Sequence, residues 1–233
     1  MKLINKIAVV TGVSSGLGLA VTTALLNKGV QVYGIARNRL KLEEIKTQFG
    51  ELFIPVALDL EKEEELNEWI KSTFSAEHYP HILINNAGTS QFANVDELSV
   101  EKWHQMVNVN LSAVHFLTAA IVPLMKLDDM SSHIINIGSI LGKTSGSQKS
   151  AYSATKFAIQ GYSEALFKEL RGFNIKVTCF NPGSIETDFF DSSGIKSNER
   201  MLHPDELADT LTYLLETPDN VLIDELTVRP LRP

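Results

Sequence analysis

With 233 residues, 44% of them hydrophobic and 21% charged, the chain has enough apolar mass to bury the core of one large α/β domain. A formal net charge of −7 gives no general attraction to nucleic-acid phosphates or anionic lipid, and no run of about 18 consecutive apolar residues marks a membrane-spanning helix. The one cysteine, Cys179, cannot form a disulfide within the chain; it lies in the apolar run Val177-Thr178-Cys179-Phe180 and reads as a buried small hydrophobe. That usage suits a reducing compartment, the cytoplasm by default.

Residues 6–11 (KIAVVT) read as a buried strand that begins too close to Met1 to leave room for a signal peptide. Residues 16–28 follow as a helix stopped by Gly29, 30–36 as a second strand, and 39–49 as a second helix stopped by Gly50. A third strand at 52–58 precedes a helix at 61–74, whose acidic first turn suits the positive end of the helix dipole. Residues 82–85 form a fourth strand and 99–125 one long helix capped by Ser99. A fifth strand at 133–139, a helix at 151–171, a sixth strand at 175–181, a helix at 204–215 and a short seventh strand at 225–229 complete the series. This alternation predicts one α/β domain, a doubly wound three-layer sandwich whose seven-stranded parallel sheet carries helices on both faces. The irregular stretch 184–203 is long for a connection in a compact domain and is expected to act as a lid.

The first strand-to-helix turn reads Thr11-Gly12-Val13-Ser14-Ser15-Gly16-Leu17-Gly18. Glycines there allow a tight turn and close approach of backbone to a pyrophosphate, and the helix start supplies N–H donors. Gly12, Ser14, Ser15, Gly16, Leu17 and Gly18 therefore form the expected dinucleotide cradle of a Rossmann-like fold, although the spacing is G-x3-G-x-G. At the end of the second strand an NAD enzyme needs an acid for the ribose 2′-hydroxyl. Here Ala36 is followed by Arg37 and Arg39, and a guanidinium suits a 2′-phosphate. NADP(H) is favoured, with NAD(H) as the alternative. Asp59, with Leu60 beside it, is placed to meet the adenine amino group or to cap the helix that follows.

Ser139 ends a strand, and Tyr152 and Lys156 stand at i and i+4 on a helix. Groups at that spacing share a helix face. A neighbouring ammonium favours the phenolate and lowers a tyrosine pKa from its usual value near 10.

Taken together, Thr11-Gly12-x3-Gly16-x-Gly18, Asn85-Asn86-Ala87-Gly88, Asn110, Ser139, Tyr152-x3-Lys156 and Pro182-Gly183 resemble, in order and spacing, the short-chain dehydrogenase/reductase family in its single-domain branch. The resemblance implies that Tyr152 is the general acid or base, that Lys156 lowers its pKa and holds the nicotinamide ribose, and that Ser139 polarises a substrate carbonyl. It implies that Asn110 holds a water linking Lys156 to solvent; an asparagine inside a helix also suits a functional kink. Asn86, Ala87 and Gly88 would line the adenosine side, and Pro182, Gly183, Ile185 and Thr187 the nicotinamide. The activity implied is NADP(H)-linked interconversion of a small carbonyl compound and its alcohol.

No metal is expected, because the six histidines show no ligand spacing; His78, His81 and His203 read as surface or capping residues. Residues 89–92, 140–142 and 184–203 are the expected substrate walls, with Phe189 and Phe190 either facing the substrate or anchoring the loop. A homodimer or homotetramer is expected through the helices carrying Val114, Phe116, Leu117, Phe157, Tyr162 and Leu166. Two rivals, a non-enzymatic dinucleotide sensor and an epimerase or dehydratase, fit less well. The first class typically lacks the Tyr-Lys pair, and the second usually carries a larger carboxy-terminal domain.

Overall fold

The computed structural model describes residues 1–127, 130–187, 189 and 198–231. Seven parallel strands, β1 (Ile7–Thr11), β2 (Gln31–Ala36), β3 (Phe53–Ala57), β4 (Ile82–Asn85), β5 (Ser132–Ile137), β6 (Ile175–Pro182) and β7 (Glu225–Val228), lie in the order β3-β2-β1-β4-β5-β6-β7. The chain builds outward from β1 to β3, then restarts on the other side of β1 with β4. That reversal opens a crevice beyond the carboxyl ends of β1 and β4, where ligands bind in open sheets of this kind.

Both faces of the sheet are covered, which explains why its strands read as continuous apolar runs. Successive side chains of β1 go to opposite layers: Ala8 and Val10 join Leu25, Leu42, Phe180 and Leu211. Val9 joins Leu66, Leu117, Ile121 and Leu166. The first layer holds α1 (Gly16–Asn27), α2 (Arg39–Phe49) and α7 (Pro204–Glu216); the second holds α3 (Glu63–Thr73), α5 (Ala113–Met125) and α6 (Ser150–Leu170). Cys179 is buried as expected, and burial pushes its thiol up to about 11.

The helix expected over 99–125 differs in one respect. It comprises α4 (Val100–Val107), a π-helical turn (Asn108–Ser112) and α5, with Ser99 accepting from Lys102 N at 3.3 Å as its cap. The wide turn carries Asn110, so the expected irregularity falls on that residue. An 18-residue window of Val100–Met125 has mean hydropathy 1.5, enough by length and composition alone to cross a membrane. Counting consecutive apolar residues misses it because asparagines and histidines interrupt the run. Its Met106, Leu117, Ile121 and Met125 are buried within the fold.

The histidines divide differently from the expectation. His203 caps α7 in a capping box with Glu206. His78 instead is half-buried against Phe74 and shares a 2.8 Å hydrogen bond with the Tyr33 hydroxyl, while His81 Nδ1 accepts from Ile7 N at 3.3 Å. His133 on β5 is fully enclosed; Nε2 meets Thr178 Oγ1 at 2.8 Å, and burial, with nearby Lys176, pushes the imidazole down to about 3. A base whose folded pKa lies below its unfolded 6.5 stabilises the fold fully above 6.5 and less as pH falls toward 3. The neutral ring should therefore cost about 2 kcal/mol of stability between pH 7 and pH 5. Denaturant unfolding across that range should show this slope in the wild type and a shallower one in His133→Gln; equal slopes would remove His133 as its source.

Candidate active site

The glycine turn connects β1 to α1 through two residues at positive φ, Gly12 (74°) and Gly16 (54°). At Gly18 the constraint is contact: a Cβ would lie 2.1 Å from Gly12 O and 2.4 Å from Asn86 Nδ2. Asn86 stitches the end of β4 to this turn, donating from Nδ2 to Thr11 O (2.8 Å) and Gly12 O (3.3 Å). The Thr11 hydroxyl in turn accepts from the Asn86 and Ala87 amides at 3.0 and 2.9 Å. Ser15, the N-cap of α1, makes no side-chain cap and no acid occupies the first turn, so the helix start presents its N–H groups and positive dipole to the crevice.

A cleft of about 400 Å³ follows this turn across the carboxyl ends of the strands. All the residues expected to touch the cofactor line it, from Gly12 to Gly18 through Arg37, Asp59, Leu60, Asn86, Ala87 and Gly88 to Pro182, Gly183, Ile185 and Thr187. Ser139, Tyr152 and Lys156 line it too. Arg37 is exposed at the rim and makes no ion pair among the described residues. Asp59 Oδ1 accepts from Glu61 N at 3.1 Å, but α3 starts only at Glu63; the carboxylate closes the turn before the helix and does not cap it. Gln105, Val109, Ile137 and Gly138 also line the cleft and were not anticipated. Gln105 and Val109, four residues apart on one helical face, carry the signal that could have found them.

The chemical residues converge on the floor. Tyr152 and Lys156 project from the first turns of α6, and Ser139 follows β5 where a 3₁₀ turn (Ile140–Gly142) begins. The Ser139 hydroxyl lies close enough to the Tyr152 phenol to lower its pKa. Ser139 Oγ also accepts from Leu141 N at 3.1 Å. Lys156 Nζ lies 5.7 Å from the Tyr152 ring centroid and donates to Ile137 O at 2.8 Å. All three side chains are buried. The lowering of Tyr152 by Lys156 expected from their spacing does not appear. Burial raises the phenol pKa against a smaller lowering by Ser139, and it also pushes Lys156 down to about 8.

Asn110 sits beside this group without lining the cleft. Its Oδ1 accepts from Thr89 N (2.8 Å), and its Nδ2 donates to Thr89 O (2.9 Å) and Thr155 Oγ1 (3.1 Å). The side chain thus ties the loop after β4 to α6. Gly88 is the residue between them: a Cβ there would stand 3.4 Å from Asn110 Oδ1 and 3.9 Å from Lys156 Nζ.

Around Tyr152 the walls are apolar: Phe92, Leu98, Met106, Leu141 and Phe189 pack together. Phe92 meets the tyrosine ring edge-on at 5.8 Å between centroids, and Phe189 lies at 6.3 Å. Phe190 and its polar neighbours Asp188, Asp191, Ser192 and Ser193 lie outside the described residues. The base of the 184–203 loop is closed by Leu202 N to Ser184 O and Glu186 N to Leu202 O, both 2.9 Å. Of the six apolar residues expected at a subunit interface, Val114, Leu117 and Leu166 are buried inside this chain and need no partner. Phe157 is exposed, and Phe116 and Tyr162 are half-buried.

This arrangement has close counterparts. The family profile for short chain dehydrogenases matches residues 6–198. An uncharacterized oxidoreductase of Staphylococcus aureus (strain MRSA252) is 34% identical over 229 residues, spanning 98% of each chain. Among solved structures, the closed form of a serine dehydrogenase complexed with NADP+ superposes with a TM-score of 0.89 at 27% identity, over 95% of this chain and 94% of that one. A 3-ketoacyl-(acyl-carrier-protein) reductase from Brucella melitensis complexed with NADH gives 0.88 at 26% identity over 99% of both. From its glycine turn to its Ser-Tyr-Lys floor, this chain belongs to the short-chain dehydrogenase family of oxidoreductases.

Proposed function

We propose that the protein is an NADP(H)-dependent oxidoreductase that interconverts a carbonyl compound and its alcohol, with Tyr152 as the acid-base group. The observation that carries this reading is the meeting of Ser139, Tyr152 and Lys156 on the floor of a cleft with a glycine turn and Arg37 at its rim. Relatives of this fold complexed with NADP+ and with NADH support a nicotinamide dinucleotide.

The residues fit that group. The open start of α1 and the Gly12–Gly18 turn suit its pyrophosphate, Arg37 its 2′-phosphate, Asp59 and Leu60 its adenine, and Lys156 the nicotinamide ribose. Pro182, Gly183, Ile185 and Thr187 frame the nicotinamide end. Bound there, the dinucleotide supplies or takes up the hydride. In reduction, Ser139 holds the substrate carbonyl oxygen by a hydrogen bond and Tyr152 gives that oxygen its proton, becoming phenolate. Burial keeps Tyr152 protonated in the resting site, which prepares it to donate. Lys156, brought down to about 8, exchanges protons near neutral pH and returns one to the phenolate. The apolar residues around Tyr152 exclude water and suit a partly apolar substrate. Asn110 positions the Thr89 backbone and α6 around this centre. A homodimer or homotetramer, using the face that carries Phe157, is part of the same proposal.

The cofactor preference is tested at Arg37. Fluorescence titration of Arg37→Ala should show NADPH affinity reduced about 10-fold or more, the scale of a charged hydrogen bond, with NADH affinity within about 2-fold of wild type. Equal losses for both would contradict the assignment of Arg37 to the 2′-phosphate.

A further inference from the structure

The polar residues behind Ser139 form a closed circuit that the chemistry above does not use. Asn181, at the end of β6, is fully enclosed; its Oδ1 accepts from Ser139 N at 3.1 Å and its Nδ2 donates to Gln160 Oε1 at 2.8 Å. Gln160 Nε2 donates to Glu225 Oε2 on β7 at 2.6 Å, and the other Glu225 oxygen pairs with Lys143. Lys143 ends the 3₁₀ turn that starts from Ser139, so the circuit returns to the serine along the backbone.

We propose that Asn181 and Gln160, clamped by the Glu225–Lys143 ion pair, are positioning residues that hold Ser139 in register with Tyr152. Three features carry this. Gln160 continues the face of α6 that presents the chemical groups, four residues beyond Lys156 and eight beyond Tyr152. It therefore couples the helix bearing the phenol to the strand end bearing the serine. Each amide oxygen and nitrogen of Asn181 and Gln160 has a partner, and reversing Gln160 would turn its oxygen onto a carboxylate, so one orientation is enforced. Gly138 makes room for the circuit: a Cβ there would fall 2.0 Å from Asn181 Oδ1.

The inference rests on the proposed carbonyl chemistry for its kinetic readout but not for its structural one. In Gln160→Met, kcat should fall about 10- to 100-fold, as expected for a small misplacement of a reacting group, with KM for NADPH within about 2-fold. Hydrogen exchange of segment 138–144 should accelerate in the same variant. Gln160→Glu provides a rescue and a guard against misfolding of the first variant. When protonated it can accept from Asn181 and donate to Glu225 as the amide does, so its kcat should recover as pH falls, a gain the wild type lacks. A purely structural role would lower the melting temperature without that pH-dependent recovery. Wild-type kcat and wild-type exchange in both variants would overturn the relay. A wild type that reduces no carbonyl would instead overturn the proposed function, leaving exchange to decide the relay.

Discussion

Tyr152→Phe is expected to lower kcat by about 10²- to 10⁴-fold, the range for losing a positioned general acid, while dinucleotide affinity stays within about 2-fold of wild type. The reason lies in what the substitution keeps. The ring still packs edge-on against Phe92 and beside Phe189. The hydroxyl that is lost is the group that Ser139 influences. Removing it would take away the proposed proton donor without opening a cavity, so folding should change little. Steady-state kinetics and a fluorescence titration of NADPH separate the two quantities. Full turnover in this variant would rule out Tyr152 as the proton donor.

Gly18→Ala should be the most damaging single-methyl change in the molecule's nucleotide half. The added carbon would sit 2.1 Å from the Gly12 carbonyl oxygen and 2.4 Å from Asn86 Nδ2. Neither can yield cheaply, since the first is backbone and the second is bonded to Thr11 and Gly12 carbonyls. The start of α1 must then move off the turn, at a cost of about 1–3 kcal/mol or more. That corresponds to a fall of several degrees in Tm for a chain of this size, at about 2–4 °C per kcal/mol. Dinucleotide affinity should fall with it, because the same N–H groups are displaced. Gly161→Ala is the matched control: nothing lies within 4 Å of a Cβ there, in the middle of α6. It should raise stability by about 0.5–1 kcal/mol through helix propensity. Calorimetry should give opposite signs for the two, and NADPH titration a loss for Gly18→Ala alone; a Gly18 variant that binds NADPH normally would contradict the assignment of this turn to the dinucleotide.

The sheet was legible because its strands are buried on both faces and punctuated by Gly29 and Gly50. The α2 and β4 limits agree residue for residue with the periodicity, and other element ends moved by one or two residues. The cleft lining was legible because glycine spacing and strand ends report backbone geometry directly. What escaped depends on contacts between distant segments. Spacing alone suggested that Lys156 would lower Tyr152, yet burial acts on both and the ammonium turns to Ile137 O. His133 carries no local mark of its enclosure, which comes from neighbouring strands, including Thr178 on β6. Gln160 falls on the Tyr152 face, but its meaning arises only when β6 and β7 bring Asn181 and Glu225 to it. The excess of apolar residues on the helices near 99–125 and 151–171 is compatible in sequence with a partner chain, whereas Val114, Leu117 and Leu166 are absorbed by this chain's own core.

Transfer of the hydride itself can be followed with labelled NADPH. Purified protein is incubated with NADPH carrying deuterium at the transferable position and with a panel of partly apolar ketones and aldehydes, and the products are read by mass spectrometry. The expected product is an alcohol with one deuterium on its carbinol carbon, formed in equal amount to the NADPH consumed and abolished in Tyr152→Phe. Binding of NADPH with no labelled alcohol from any carbonyl, or label transfer undiminished in Tyr152→Phe, would contradict the proposed function.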